Sequence, residues 1–241
     1  MIDSYDNQLN NWINKEKEGV NLLKSVGTLM YDKGIELILF RRHLLEIGVS
    51  ELLNFIAYAN NVVGRQNDIE TANILANEML TLELAPSKID IGRLTAEYLE
   101  SGKKDPKAFL SDKLSHIIGV DTSKRNAKDV ILFGFGRIGR LTARELIKQA
   151  GKGQQLRLKG VILRKIDAKS LRKRCALLRQ DSVHGSFSSS IEIDDDNLSI
   201  VINGQEIKFF NESTKHNLKD YGINDALLID NTGVFKTNEE L

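Results

Sequence analysis

Residues 128–141 read KDVILFGFGRIGRL, and the reading of this stretch decides the fold. An apolar run, Val130 to Phe133, leads into three glycines, Gly134, Gly136 and Gly139, spaced as G-x-G-x-x-G, and a helix-forming sequence follows. A buried strand turning sharply into a helix is what this pattern specifies. The first glycine permits the tight turn, the second lets a pyrophosphate approach the backbone, and the third lets helix and strand pack closely. The helix N-terminus then offers free N–H groups to phosphates. The pattern alone is weak, but its context is complete: a strand before, a helix after, and a second strand, LRLKGVIL, within about 30 residues. The competing reading is a tight turn that holds no ligand. The candidate phosphate-binding residues are Gly134, Phe135, Gly136, Arg137, Ile138 and Gly139.

The second strand ends in Leu163-Arg164-Lys165, where such folds normally carry an acidic residue for the ribose hydroxyls. Arg164 and Lys165 suit a 2′-phosphate, which a carboxylate would repel, so the expected cofactor is NADP or NAD. The alternative leaves both cations solvated and gives the ribose to Asp167. Residues 164–179 hold seven basic residues and one acidic. No aromatic residue is interleaved, which argues against a base-stacking nucleic-acid surface. A solvated helix face or a subunit contact is the better reading.

Further along, FSSSIEID, LSIVI and EIKFF read as short strands, and Asn203-Gly204 marks a tight hairpin. ALLID, leading into NTGVF, reads as the last strand. Strands alternating with helices indicate a parallel α/β sheet. Before all this, residues 1 to about 125 read as helical. Leu9, Trp12, Ile13, Val20, Leu23 and Val26 recur at helical spacing. Ser50, Asp68 and Ser87 are candidate N-caps, and Pro106 suits a first helical turn. IELILFRRHLL (35–45) reads as a helix by length and charge, with a strand as the alternative. A polar, basic segment, 119–128, reads as the linker. The expected fold is therefore α/β: an all-helical region, 1–125, followed by an incomplete Rossmann-type parallel sheet, 126–241, with a short β-hairpin insertion.

Composition excludes little. A hydrophobic content of 41% supports a real core, and a net charge of +1 gives no overall attraction to nucleic acid or an anionic membrane. No apolar run approaches the length of a membrane span, and the N-terminus lacks the basic and apolar regions of a secretory signal. The single cysteine, Cys175, leaves no internal disulfide, which suits a cytoplasmic location.

In order and rough spacing, GFGRIGRL, DSVHGSF, VINGQEIKFF and NTGVF resemble the blocks of phosphorylating glyceraldehyde-3-phosphate dehydrogenases. The resemblance covers about 130–241, and residues 1–125 look like the helical extension of a longer bacterial subgroup. It implies oxidation and phosphorylation of glyceraldehyde 3-phosphate through a cysteine thioester, with NAD or NADP accepting hydride, in a homo-oligomer. It places Arg137 and Ile138 at the cofactor pyrophosphate, Lys165 near the ribose position, and Thr232 and Gly233 beside the cofactor. Three departures stand out. Phe133 replaces a usual asparagine, the ribose aspartate becomes basic, and NEST, with Ser213, lacks the arginine found near the adenine. The family's catalytic cysteine and histidine would lie beyond Leu241, so no catalytic residue is assigned. Cys175 reads as a helix-packing cysteine, His184 as a turn residue, and His43, His116 and His216 as solvent or core histidines. Asp194-Asp195-Asp196 reads as an acidic hairpin loop rather than a metal cluster. The expected function is the cofactor-binding part of such an enzyme. The alternatives are a non-catalytic NAD(P)-binding module and an interaction protein built on the helices.

Overall fold

A computed structural model describes residues 4–121, 127–149, 155–213 and 218–234. The chain divides into two compact units, residues 1–124 with 151–153, and residues 125–150 with 154–241. The middle of the expected linker, 122–126, lies outside the described residues, as does His216.

The first unit contains α1 (Tyr5–Lys33), β1 (Ile35–Leu39), β2 (Arg42–His43), α2 (Val49–Tyr58), α3 (Ile69–Thr81), β3 (Ser87–Asp90), α4 (Ile91–Ser101) and α5 (Pro106–Lys113). Leu22 and Leu29 of α1, Leu75 and Met79 of α3, and Phe109 of α5 meet in one core. The region is not all helical, which corrects the sequence reading. Residues 35–39 form a strand because Ile35, Leu37 and Leu39 are buried in alternation, the two-residue period of a sheet. β1 pairs with β3 in parallel and with β2 antiparallel, giving the order β2-β1-β3. β3 consumes Ser87, so Asp90 caps α4 instead, accepting from the Arg93 N–H at 3.1 Å. The same carboxylate oxygen accepts the Phe40 N–H, also at 3.1 Å, and so ties the β1–β2 turn to α4. Ser50 likewise does not cap α2, which starts at Val49 after Gly48. Asp68 does cap α3, and Pro106 does open α5.

The second unit contains β4 (Lys128–Phe133), α6 (Arg137–Lys148), β5 (Leu156–Leu163), α7 (Ala168–Arg179), β6 (Gln180–Asp181), β7 (Gly185–Ser186), β8 (Ile191–Asp194), β9 (Ser199–Ile202), β10 (Gln205–Asn211) and β11 (Leu227–Asp230). Six of these strands form one sheet in the order β11-β4-β5-β10-β9-β8. The first four run parallel, and β10, β9 and β8 make antiparallel hairpins. This is the expected α/β sheet with a hairpin insertion. Asn203 and Gly204 both take positive φ, 49° and 78°, the tight turn their sequence favours. α6 and α7 cover the core through Ala143, Leu146, Leu171, Cys175 and Leu178, against Val130, Leu132 and Val161 of the strands. The parallel order places the C-terminal ends of β11, β4 and β5 side by side, and in open α/β sheets ligands bind outside such ends.

Candidate dinucleotide-binding site

The site is built where β4 turns into α6. The sheet holds the turn from both sides: the Gly134 N–H donates to the Ile162 carbonyl at 2.9 Å, and the Asn231 N–H donates to the Phe133 carbonyl at 2.7 Å. Gly134 has φ +92°, and a Cβ there would stand 3.2 Å from the Thr232 nitrogen. A Cβ on Gly139 would stand 2.4 Å from the Gly134 carbonyl oxygen, so only glycine allows α6 to start this close to the turn. Gly136 begins the helix without a side-chain cap, and the bond from the Arg140 N–H to the Gly136 carbonyl, 3.0 Å, closes the first helical ring. The N–H groups of Arg137, Ile138 and Gly139 therefore have no acceptor within the helix. Ile138 is exposed beside them.

Phe135 serves the site through its backbone. Its ring is buried and packs edge-on against Phe209, with centroids 5.4 Å apart. Its carbonyl oxygen accepts from Arg140 Nη1 at 3.2 Å and from Arg174 Nη1 at 3.3 Å. The Nε atoms of both arginines are buried without a hydrogen-bond partner. Burial lowers both guanidinium pKa values from their ordinary range, and the nearby Arg140 charge lowers that of Arg174 further. Neither arginine has a carboxylate in salt-bridge contact among the described residues. The Asp181 charge offsets part of this lowering at Arg140, and the two partly buried cations share one neutral acceptor, an arrangement that a phosphate would suit.

Arg137, half exposed, reaches the turn after α7. It donates to Ser182 Oγ at 3.1 Å and lies 3.5 Å from Asp181 Oδ2. Asp181 is buried and accepts from the N–H groups of His184 at 3.0 Å and Val183 at 2.9 Å, and pairs with His184 Nδ1 at 3.1 Å. These bonds, the His184 N–H foremost, hold its carboxyl well below the usual carboxylate range. Arg144, 5% exposed, donates to the Leu178 carbonyl at 2.6 Å and to the Gly185 carbonyl at 3.1 Å, closing the end of α7 and fixing the same turn. DSVHG is thus a clamp on Arg137, and His184 is its structural member.

Arg164 and Lys165 stand exposed at the end of β5, with no ion pair among the described residues. Asp167 is engaged elsewhere. Its Oδ1 accepts the Ser170 N–H at 2.7 Å in a capping box that starts α7. Thr232 lies against Gly134, its N–H held by Asp230 Oδ1 at 2.9 Å, and Gly233 follows with φ +68°. Ser213 is exposed at the end of β10. The structure therefore gathers the six turn residues and Thr232 at one place, with Arg164 and Lys165 at the neighbouring strand end. Sequence reasoning missed Arg140, Arg174, Asp181 and Ser182. Arg140 carried a signal, falling one helical turn after Gly136, whereas Arg174 is thirty-nine positions from Phe135 and carried none.

Among the described residues the remaining candidates form no group of three or more metal-binding side chains. Cys175 is 1% exposed, and burial pushes its thiol up to about 11, against a reactive thiolate. His43 pairs with Glu36 at 2.6 Å. Asp195 pairs with Arg172, and Asp194 accepts the Asn197 N–H at 3.0 Å, as an acidic hairpin loop does. Among the described residues no helix is long and apolar enough to cross a membrane.

Residues 128–238 match the family model for the glyceraldehyde 3-phosphate dehydrogenase NAD binding domain. The chain is similar to a glyceraldehyde-3-phosphate dehydrogenase-like protein of Pseudomonas aeruginosa (strain UCBPP-PA14), with 33% identity over 227 residues covering 91% of this chain and 49% of that protein. It is also similar to the glyceraldehyde-3-phosphate dehydrogenase of Bacteroides fragilis (strain YCH46), 33% identical over 106 residues, covering 44% of this chain and 29% of that one. The glyceraldehyde-3-phosphate dehydrogenase of Thermotoga maritima is 34% identical over 114 residues, covering 46% and 31%. The chain spans about half the length of the Pseudomonas relative and under a third of the other two. The Pseudomonas match runs through both units, whereas the other two are no longer than the second.

Proposed function

We propose, from the premise that residues 128–238 are an NAD-binding domain of the glyceraldehyde-3-phosphate dehydrogenase family, that this chain is the cofactor-binding part of a phosphorylating, NAD(P)-dependent glyceraldehyde-3-phosphate dehydrogenase. The observation that carries the reading is the contact of Gly139 on Gly134, which leaves the uncapped start of α6 open to a pyrophosphate. The backbone N–H groups of Arg137, Ile138 and Gly139 would hold the phosphates. Arg140 and Arg174 would supply positive charge behind them, and Asp181 would keep Arg137 in place. Thr232 and Gly233 would border the nicotinamide side. When bound, the cofactor supplies the hydride acceptor, and glyceraldehyde 3-phosphate is the proposed substrate of the whole enzyme. A homo-oligomer and a cytoplasmic location are part of the same reading.

Arg164 and Lys165 carry the finer proposal that NADP is accepted at least as well as NAD. Two cations within reach of a partly screened 2′-phosphate favour it by about 1–3 kcal/mol. Isothermal titration of the chain with NADP and NAD measures this. NADP is expected to bind as tightly as NAD or tighter, and Arg164→Glu with Lys165→Glu to weaken NADP about tenfold or more while changing NAD little. Absence of heat with both cofactors would remove the cofactor reading, and an unchanged NADP affinity in the double variant would remove the role of the two cations.

One observation favours a second reading. Cys175 is buried with a raised thiol pKa and supplies no reactive thiolate to the cofactor turn, as in a binding module that senses NAD(P) without turning it over. Cofactor binding without aldehyde oxidation by the protein isolated from its native source would favour that module.

A further inference from the structure

Arg164 and Lys165 fill the gap between two buried side chains, Leu163 at 5% exposure and Ile166 at 4%. Both ends of this short loop are bonded to β10. The Leu163 carbonyl accepts the Glu212 N–H at 2.7 Å, and the Ile166 N–H donates to Asn211 Oδ1, also at 2.7 Å. A backbone N–H needs the oxygen of the amide at that place, which fixes the Asn211 orientation. Asn211 is the last residue of β10, in register with Leu163. One residue earlier, the Ile162 carbonyl accepts the Gly134 N–H at 2.9 Å. β5 thus gives successive carbonyls to opposite sides, Ile162 to the glycine turn and Leu163 to the end of β10.

The backbone of the loop is therefore held while its two side chains stand exposed. Long cationic side chains lose much rotamer freedom when a ligand orders them. A loop whose backbone also had to be ordered on binding would add to that cost. The Asn211 bond removes the backbone part before any ligand arrives. A dinucleotide without a 2′-phosphate draws little from the two cations, so it draws little from the bond that places them.

We propose that Asn211 is a positioning residue for cofactor choice. Its amide oxygen holds the backbone of residues 164–166 so that Arg164 and Lys165 meet the 2′-phosphate of NADP. Asn211 acts through the loop and not on the phosphate. This inference rests on the cofactor reading and on the role given there to the two cations.

Titration calorimetry with NADP and with NAD tests this in the wild-type chain, in Asn211→Ala, in Arg164→Ala with Lys165→Ala, and in the variant carrying all of these. Asn211→Ala is expected to weaken NADP about three- to tenfold, the size of one hydrogen bond, and NAD by less than about twofold. Once both cations are gone, the same substitution is expected to leave NADP affinity unchanged, because nothing remains for Asn211 to position. The far-UV spectrum and melting midpoint are expected to stay those of the wild type. Should Asn211→Ala melt early, Asn211→Thr suits a strand end and leaves its oxygen one atom short of Ile166, and the same pattern is expected of it. An unchanged NADP affinity would overturn the proposal. Equal losses for both cofactors would overturn it too, since they would mean a general loosening of the sheet end. So would a further loss of NADP in the variant that already lacks both cations. A wild-type chain that binds neither cofactor would remove the cofactor reading and this proposal with it. A wild-type chain that binds both, with a ratio that Asn211→Ala does not move, would remove this proposal alone.

Discussion

Gly139 shows how a single residue sets the site. Its missing Cβ leaves 2.4 Å to the Gly134 oxygen, closer than any side chain tolerates, and the clash would fall on backbone that two strands hold in place. Gly139→Ala is expected to push the start of α6 off the turn. It should cost about 1–3 kcal/mol of stability, as overpacking does, and weaken dinucleotide binding about tenfold or more. Chemical denaturation and titration with NAD measure the two effects, and an unchanged affinity would mean that the turn does not approach a phosphate. Gly134 and Gly139 were legible in the sequence because each serves a local backbone need, whereas Gly136, with open space at its Cβ position, was legible by its spacing alone. Arg174 was not, because its partner, the Phe135 carbonyl, sits on a turn that only the folded sheet brings near.

The elements differ in how plainly their sequences declare them. β4 is a parallel strand buried from Asp129 to Leu132, β5 a parallel strand beside it with Leu158, Val161 and Leu163 buried, and α6 follows a glycine turn, so local pattern and tertiary role agree. Residues 35–45 set length and charge against alternation, and alternation won because β3 lies beside β1 across two intervening helices. That pairing also moved the cap of α4 from Ser87 to Asp90, since the earlier residues were taken into the strand. Asp90 now joins three elements through one carboxylate oxygen. Asp90→Ala is expected to remove a helix cap and the bond to the Phe40 N–H together, costing about 2–3 kcal/mol in urea unfolding. A loss under half a kilocalorie would show that the cap and turn bonds are replaced by water. β11 is an edge of the sheet among the described residues, with Leu227 and Leu228 nearly half exposed.

At the scale of the molecule, each of the two units has its own core. Leu22, Leu75 and Phe109 belong to one, and Val130, Leu146 and Leu171 to the other. A ligand stabilises only what it binds. Saturating NADP is therefore expected to raise one thermal transition, that of the second unit, by several degrees and leave the other in place, at roughly 2–8 °C per kcal/mol for units of this size. Calorimetry with and without cofactor reads this directly, and a single transition that shifts as a whole would show the units to unfold together. The Pseudomonas relative aligns through both units, so the sequence of the first unit as well as the second is similar to it.

The sequence by itself determined the α/β sheet, the glycine turn, the Asn203-Gly204 hairpin, and the helices that start at Asp68 and Pro106. The turn, the hairpin and the helices rest on contacts within a few residues, where steric freedom and caps act directly, and the sheet was legible through the apolar period of its strands alternating with helices. Only the tertiary structure decided that the first half carries a sheet, that Asp181 anchors Arg137, that Arg140 and Arg174 converge on the Phe135 carbonyl, and that Asn67 keeps a buried oxygen without a donor. Each of these depends on groups distant in the chain being brought together and taken out of water. Their charge balance and hydrogen bonding exist only once that desolvation has occurred.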